Sequence, residues 1–152
     1  MSREVGNFLP SLFAEHRWLW GSIVTVMVSG CGAGGKPVDI FPEDACSNCR
    51  MAISNHRFAA EIISDAGEVF KFDDIGCMVL FRATHDEVKI AAMYVKDYGT
   101  KEWAVCEQAV VLETDTNTPM GSGMVAFSDS SGALEFQKQH PPNSKEAAWI
   151  SK

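Results

Sequence analysis

The chain has 152 residues, with 46% hydrophobic residues, 22% charged residues and a formal net charge of −7 at pH 7. This composition excludes an intrinsically disordered chain and leaves room for one ordinary domain or two very small ones. Because the chain is acidic and has no basic run interleaved with aromatic residues, we expect no nucleic-acid partner.

The N-terminal segment has the features of a targeting signal. An apolar run over residues 18–28 has the length of a signal-peptide core and is too short for a comfortable membrane span. It ends in Val28-Ser29-Gly30-Cys31, which resembles the bacterial lipobox, where the cysteine is lipidated and becomes the new N terminus. The alternative is an uncleaved anchor with an incidental cysteine. We predict a lipoprotein signal peptide over residues 1–30 and lipidation of Cys31.

The predicted lipid places the protein in the bacterial cell envelope. Acyl chains on Cys31 would hold it stably on the membrane. Gly32 follows that cysteine, where an Asp would signal retention at the inner membrane. In a cell with two membranes we therefore expect the outer membrane, facing the periplasm. The glycine-rich residues 31–38 predict a flexible tether.

Two small α/β units are predicted after the tether, over residues 39–97 and 98–142, followed by a C-terminal tail over residues 143–152. In the first unit, apolar and alternating segments predict strands, and Asp73-Asp74 offers a cap for a short buried helix. The predicted elements are strands over 58–63, 69–72 and 90–95 and a helix over 75–82.

The second unit is predicted to be a fainter copy of the first. Its predicted elements are a short helix over 101–108, strands over 109–113 and 124–127, and a helix over 132–140 that stops at Pro141-Pro142. Residues 64–72 are echoed by residues 128–136, which would make Met51 and Met120 equivalent. Chance similarity of short turns is the alternative. The predicted fold class is α+β, with two small related β-β-α-β-type units.

The strongest chemical signal is Cys46-x-x-Cys49-x-Met51. Thiolates and thioethers are soft ligands that suit Cu(I) or Zn(II) far better than Mg(II) or Ca(II). The methionine favours Cu(I), which accepts thioethers and needs only two or three ligands. Two alternatives remain open for Cys46 and Cys49: a structural disulfide, and a thiol–disulfide oxidoreductase pair.

Met120 is the next candidate ligand, because it lies among turn residues, where packing seldom requires a methionine. Cys77 falls within the predicted apolar helix, where we expect it to pack as a small hydrophobe. Cys106 is either buried alone or paired with Cys77. His56 is interpreted as a solvated loop histidine, although it lies near enough in sequence to reach the site.

No feature of the sequence predicts catalysis. Asp73 and Asp74 are explained more simply as a helix cap than as a general acid/base pair. A Ser-His-Asp ordering, a phosphate-binding glycine loop and an H-E-x-x-H motif are all missing from the sequence. We therefore expect a protein that is not an enzyme.

Taken together, these motifs resemble the NosL family, the lipoproteins that accompany nitrous-oxide reductase. The resemblance covers essentially the whole chain after the signal peptide, and the order and spacing of its short motifs make it fairly specific. The matching pieces are Val28-Ser29-Gly30-Cys31, Cys46-x-x-Cys49-x-Met51, Phe72-Asp73-Asp74-Ile75-Gly76-Cys77-Met78, Trp103 followed by Ala109, and Pro119-Met120-Gly121-x-Gly123 with Ala126-Phe127.

The resemblance implies a pair of small α/β units and Cu(I) binding, with delivery of copper to the copper–sulfide centre of nitrous-oxide reductase. It places the family's ligands on Cys49, Met51 and Met120, and it gives Cys46 a less defined role. Zn(II) is a metal that such a site would also accept in vitro. One departure is Arg50, where many members have glycine.

Overall fold

The computed structural model describes residues 35–140 and, for the backbone, residues 145–146. The signal peptide, Cys31 and the first part of the tether lie outside the described residues. Neither of the two helices within the described part of the chain has the length and hydrophobicity that a membrane crossing needs.

The described elements are seven strands, two α-helices and one 3-10 helix at His56–Phe58. In chain order, the others are β1 (Ala60–Ser64), β2 (Val69–Phe72), α1 (Ile75–Thr84), β3 (Ile90–Lys96), β4 (Trp103–Val105), β5 (Val110–Glu113), β6 (Met124–Phe127), α2 (Ser130–Gln139) and β7 (Lys145–Glu146).

The strands form two antiparallel sheets. The four-stranded sheet has the order β2-β1-β3-β4, and the three-stranded sheet has the order β6-β5-β7. Each sheet therefore holds a β-β-α-β unit in which the first strand lies between the other two. This confirms the predicted α+β fold with two related units. The strand β7 comes from the segment that was predicted as a C-terminal tail.

The two α-helices begin and end in the same way. The carboxylate of Asp74 accepts a hydrogen bond from the amide of Gly76, and Asp129 accepts one from Gly132, so each helix has an N-cap. At the other end, His85 stacks on Phe81 and His140 stacks on Phe136, with ring centroids 4.0 and 4.2 Å apart. The apolar side of each helix packs on its own sheet.

One predicted element is wrong. The segment 101–108, predicted as a short helix, contains the strand β4, which pairs with β3 through Tyr94–Val105, Val95–Ala104 and Lys96–Trp103. A free edge of β3 is available to this segment, and its Trp and Val side chains are of types that fit a sheet. Tertiary pairing therefore outweighs the weak helical pattern.

The repeat is real, but its register differs from the predicted one. Residues 64–72 form a turn and the strand β2. Residues 128–136, by contrast, hold the N-cap and most of the helix α2, so the two segments are not equivalent. The structure instead aligns the hairpin of residues 46–51 with that of residues 97–102. In both, the first amide donates to the carbonyl five residues on (Cys46 to Met51, 2.8 Å; Asp97 to Glu102, 2.9 Å).

The same register continues around each hairpin. The amide of Arg50 donates to Cys46, and the amide of Lys101 donates to Asp97, and both donors have left-handed backbone with φ of 66° and 63°. The counterpart of Met51 is therefore Glu102, and Met120 lies instead in the long loop between β5 and β6.

Candidate metal centre

The loop that carries the sulfur motif is held firmly against β2. Ser47 donates its amide to the carbonyl of Lys71 at 2.7 Å and accepts the amide of Lys71 on its hydroxyl at 3.1 Å. The ammonium of Lys71 also contacts the carboxylate of Asp44, at the base of the hairpin, at 2.6 Å. The positions of Cys46 and Cys49 are therefore supported by contacts between the loop and β2.

Four potential ligands converge beside this loop. Cys46, Cys49, Asp73 and Cys77 each offer one ligand atom, and the four atoms all lie within 4.8 Å of one another. The hairpin supplies the first two, the end of β2 supplies Asp73, and the first turn of α1 supplies Cys77. We refer to these four residues as the thiol cluster.

Three of the four residues in the thiol cluster are buried. Cys46, Cys77 and Asp73 are 0%, 1% and 2% exposed, whereas Cys49 is half-buried and forms its accessible side. The thiol of Cys49 lies 3.6 Å from a carboxylate oxygen of Asp73 and can donate a long hydrogen bond to it. An ion entering the cluster would therefore meet Cys49 first.

Burial also sets the protonation of the inner thiols. It raises the pKa of Cys46 and of Cys77 above the ordinary value for a thiol, because a buried thiolate loses its hydration. For Cys77, the neighbouring Cys46 adds to the effect, while the side chain of Asn48 opposes it. Both thiols hold their protons at neutral pH in the metal-free protein, so a soft metal would have to displace them.

Met120 is brought to the thiol cluster by Asp74. One carboxylate oxygen of Asp74 caps α1 through Gly76 at 2.6 Å, and the other accepts the amide of Met120 at 3.0 Å. The loop packs so closely on α1 that a Cβ on Gly76 would lie 2.5 Å from the Cβ of Ser122. The loop of Met120 therefore lies against the first helical turn, which also carries Cys77.

The two predicted thioether ligands lie at the surface around the thiol cluster. Met51 is 56% exposed and Met120 is 46% exposed. Met51 shares a groove of about 340 Å³ with Asp73 and Pro119. Met120 shares a second groove, of about 280 Å³, with Cys77 and Met124. Each methionine therefore lines a groove together with one member of the thiol cluster, and both methionines are exposed.

The remaining candidates lie elsewhere or have other roles. Cys46, Cys49, Cys77 and Cys106 are all unpaired, so the described part of the chain has neither a Cys46–Cys49 nor a Cys77–Cys106 disulfide. Burial raises the pKa of Cys106 to about 11. His56 is exposed in the 3-10 helix. Which of the sulfur residues bind metal stays a prediction.

Asp73 and Cys77 belong to the cluster, but the sequence did not predict them as ligands. Both were assigned to ordinary helix formation, as part of a cap and as a core residue. Their spacing was the available signal, because residues four apart across a helix start lie on one side of it. What the sequence does not show is that the hairpin of Cys46 packs on that side.

Comparisons with known proteins agree with this architecture. A family model described as NosL matches residues 37–148. The crystal structure of the copper chaperone NosL from Shewanella denitrificans superposes with a TM-score of 0.64 at 17% sequence identity, covering 74% of this chain and 93% of that chain. At this identity the superposition shows a shared fold. A search of curated proteins finds no match.

Proposed function

This chain belongs to the NosL family, and from that premise we propose that it is a Cu(I)-binding lipoprotein that delivers copper to an enzyme of the cell envelope. The observation that carries the proposal is the convergence of the sulfur residues. Three thiols lie within 4.8 Å of one another, and two exposed methionines line the grooves that reach the cluster members Asp73 and Cys77.

The chemistry of these donors suits a carrier of soft metal. Thiolates and thioethers select Cu(I) over hard ions. We expect Cys49, Met51 and Met120 to form the accessible ligand set, since Cys49 is half-buried and both methionines are exposed. A Cu(I) ion with two or three ligands at the surface leaves room for a ligand from the receiving protein, so copper can pass on without release into water.

The proposal is tested by titrating the reduced full chain with Cu(I) against a competing chelator. We expect one tightly bound ion, a large loss of affinity in Cys49→Ser and at most a small loss in Met51→Leu. Cys106→Ser is the matched control, because it removes a buried thiol outside the cluster. Equal affinities in the parent, Cys49→Ser and Met51→Leu proteins would refute copper binding at this site.

The receiving enzyme is proposed to be nitrous-oxide reductase, on the strength of family membership. In the native host, deletion of this gene should leave the reductase without its copper–sulfide centre, and the reductase would be assayed for copper content. A fully loaded reductase in the deletion strain would rule out that client while leaving copper binding untouched.

The proposed location is the cell envelope, on a membrane through a lipid on Cys31, and in a cell with two membranes it is the outer membrane, facing the periplasm. The motif Val28-Ser29-Gly30-Cys31 supports it. Radiolabelled palmitate should be incorporated into the parent protein and not into Cys31→Ser, and fractionation should find the protein in the membrane. Equal labelling of both proteins would contradict lipidation at this cysteine.

The thiol–disulfide oxidoreductase that the C-x-x-C spacing left open receives little support from the site. Such an enzyme needs an accessible thiol of lowered pKa as its nucleophile. Cys46 is fully buried, and burial raises its pKa, so it does not fit that role. The accessible Cys49 lies beside the carboxylate of Asp73, at 3.6 Å. A carrier, rather than a catalyst, therefore fits these residues better.

A further inference from the structure

The accessible ligand set leaves two thiols unexplained. Cys46 and Cys77 are buried in the thiol cluster, and neither belongs to the set of Cys49, Met51 and Met120. Cys49 is common to both groups. The question is whether the two inner thiols only fill space or whether they hold metal as well.

The second unit supplies an internal comparison, because it has the same backbone frame. In the shared register, the hairpin positions of Cys46 and Cys49 are taken by Asp97 and Thr100. Counting along the paired strands and caps, the positions of Asp73 and Cys77 are taken by Ser128 and Gly132.

In the second unit, these groups satisfy one another. The carboxylate of Asp97 accepts four hydrogen bonds of 2.7–2.9 Å, from the amides of Gly99, Thr100 and Ser128 and from the hydroxyl of Ser128. A buried carboxylate with four donors needs no cation. The buried carboxylate of the second unit therefore has all its hydrogen-bond partners within the protein.

In the first unit, the equivalent positions hold three thiols and a carboxylate, which do not satisfy one another in this way. Asp73 is 2% exposed, and the donors beside its carboxylate are thiols, those of Cys49 at 3.6 Å and of Cys46. A thiol is a weak hydrogen-bond donor. Among the described residues, the carboxylate of Asp73 and the three thiols beside it form no closed network like that of Asp97, and three thiols this close together are a donor set that suits Cu(I).

From this contrast, and resting on the proposed function, we infer that the chain holds Cu(I) at two positions that share Cys49. The inner position is formed by Cys46, Cys49 and Cys77, beside the carboxylate of Asp73, and it is where the ion rests. The outer position is formed by Cys49, Met51 and Met120, and it is where the ion leaves. Each inner thiol gives its proton to solvent as its sulfur binds copper, and no electron is transferred.

The two positions differ in strength and in access. Thiolates bind Cu(I) more strongly than neutral thioethers, so the inner position should fill first. The ion can move outward by exchanging Cys46 and Cys77 for Met51 and Met120 while it remains bound to Cys49. Cys49 is the accessible thiol of the cluster and lies two residues before the exposed Met51, which suits a ligand shared by the two positions.

Selenomethionine substitution separates the two positions without any mutation. In copper X-ray absorption, an ion bound by methionine in the substituted protein has a selenium neighbour, whereas an ion in the inner position has only lighter neighbours. At one equivalent of Cu(I), we expect sulfur neighbours and no selenium. Selenium scattering at one equivalent would overturn the inference.

The variant Cys77→Ser supplies the second readout, in a protein shown by circular dichroism to be folded. We expect its Cu(I) affinity to fall at least about tenfold, since even groups behind the ligands commonly matter by that factor. We also expect selenium scattering to appear as the ion moves outward. Cys106→Ser should match the parent in both measurements.

The outcomes distinguish this inference from the proposed function. Unchanged affinity in folded Cys77→Ser overturns the inner position, while a loss of affinity in Cys49→Ser keeps the proposed function standing. A parent protein that binds no Cu(I) overturns both. If Cys77→Ser does not fold, the selenium measurement on the parent protein decides the inference alone.

Discussion

Two residues in the structure have backbone conformations that their side chains disfavour. Arg50 and Lys101 have φ of 66° and 63°, where a Cβ atom crowds the following carbonyl oxygen. Each closes the same tight turn by donating its amide to a carbonyl four residues earlier. Glycine is the natural residue for such a position, which gives a physical reason for the glycine that many family members have in place of Arg50.

We predict that Arg50→Gly and Lys101→Gly each raise the free energy of unfolding by about 0.5–1 kcal/mol. Relief of the left-handed strain, on the order of 1–2 kcal/mol, outweighs the greater entropy that glycine has in the unfolded chain. Urea denaturation of the metal-free protein measures the effect. Arg82→Gly is the control and should lower stability, since this exposed arginine lies within α1. A loss of stability in all three variants would contradict the strain argument.

At the scale of elements, the two hairpins enclose different polar groups: thiols in the first unit and a hydrogen-bonded carboxylate in the second. The hairpin of the second unit is held by the carboxylate of Asp97, which links its own turn to Ser128 at the start of α2. Burial alone would raise the pKa of Asp97, but the hydrogen bonds from Ser128, Thr100 and Gly99 together lower it below its ordinary value. The charged form of Asp97 is therefore part of the fold.

We predict that Asp97→Asn lowers the free energy of unfolding by about 1.5–3 kcal/mol at pH 7, the usual range for hydrogen bonds to a charged group. Because the folded pKa is lowered, the stabilisation is fully present above the unfolded pKa of about 3.9 and is lost as the pH falls through the lower folded value. The difference between variant and parent should therefore shrink below about pH 4. Denaturation midpoints across this range measure it.

Asp65→Asn is the matched control, because Asp65 lies in the exposed turn between β1 and β2. Its effect on stability at pH 7 should be small. An Asp97→Asn protein as stable as this control at pH 7 would show that the four hydrogen bonds contribute nothing net.

Most of the helices and strands could be predicted from the sequence. They were predicted to within a few residues: α1 from its Asp cap, α2 from the prolines that end it, and β1, β2, β3, β5 and β6 from their apolar patterns. The strand β4 was missed because its partner, the edge of β3, is known only once the sheet exists. Asp73 and Cys77 were missed for the same reason, since the local pattern explains them fully without the hairpin that packs against them.

At the scale of the whole molecule, the thiol cluster joins three separate segments of the chain. Its ligand atoms come from the hairpin, from the end of β2 and from α1. A metal that binds there should stabilise the folded domain as a unit, because the unfolded chain holds these groups far apart. The stabilisation should also depend on pH, through the protons that the buried thiols release.

We predict that the apparent Cu(I) affinity of the parent protein rises with pH between about 6 and 8, by roughly tenfold per unit for each proton released. The sign follows from burial, which raises the pKa of Cys46 and Cys77 and keeps both protonated in the metal-free protein. Chelator competition, corrected for the chelator's own protons, measures the slope. An affinity independent of pH would contradict proton displacement, and Cys106→Ser should retain the parent slope.

The matched hairpins show that the backbone of this domain does not depend on its sulfur residues. The second copy shows that this backbone closes its turn without sulfur, so the frame does not owe its shape to an ion. Gaining or losing metal in such a frame takes a handful of side-chain changes and no rearrangement of the chain. The carrier proposed for this chain must keep its fold after it gives up its ion, and a backbone that closes the same turn without sulfur meets that demand.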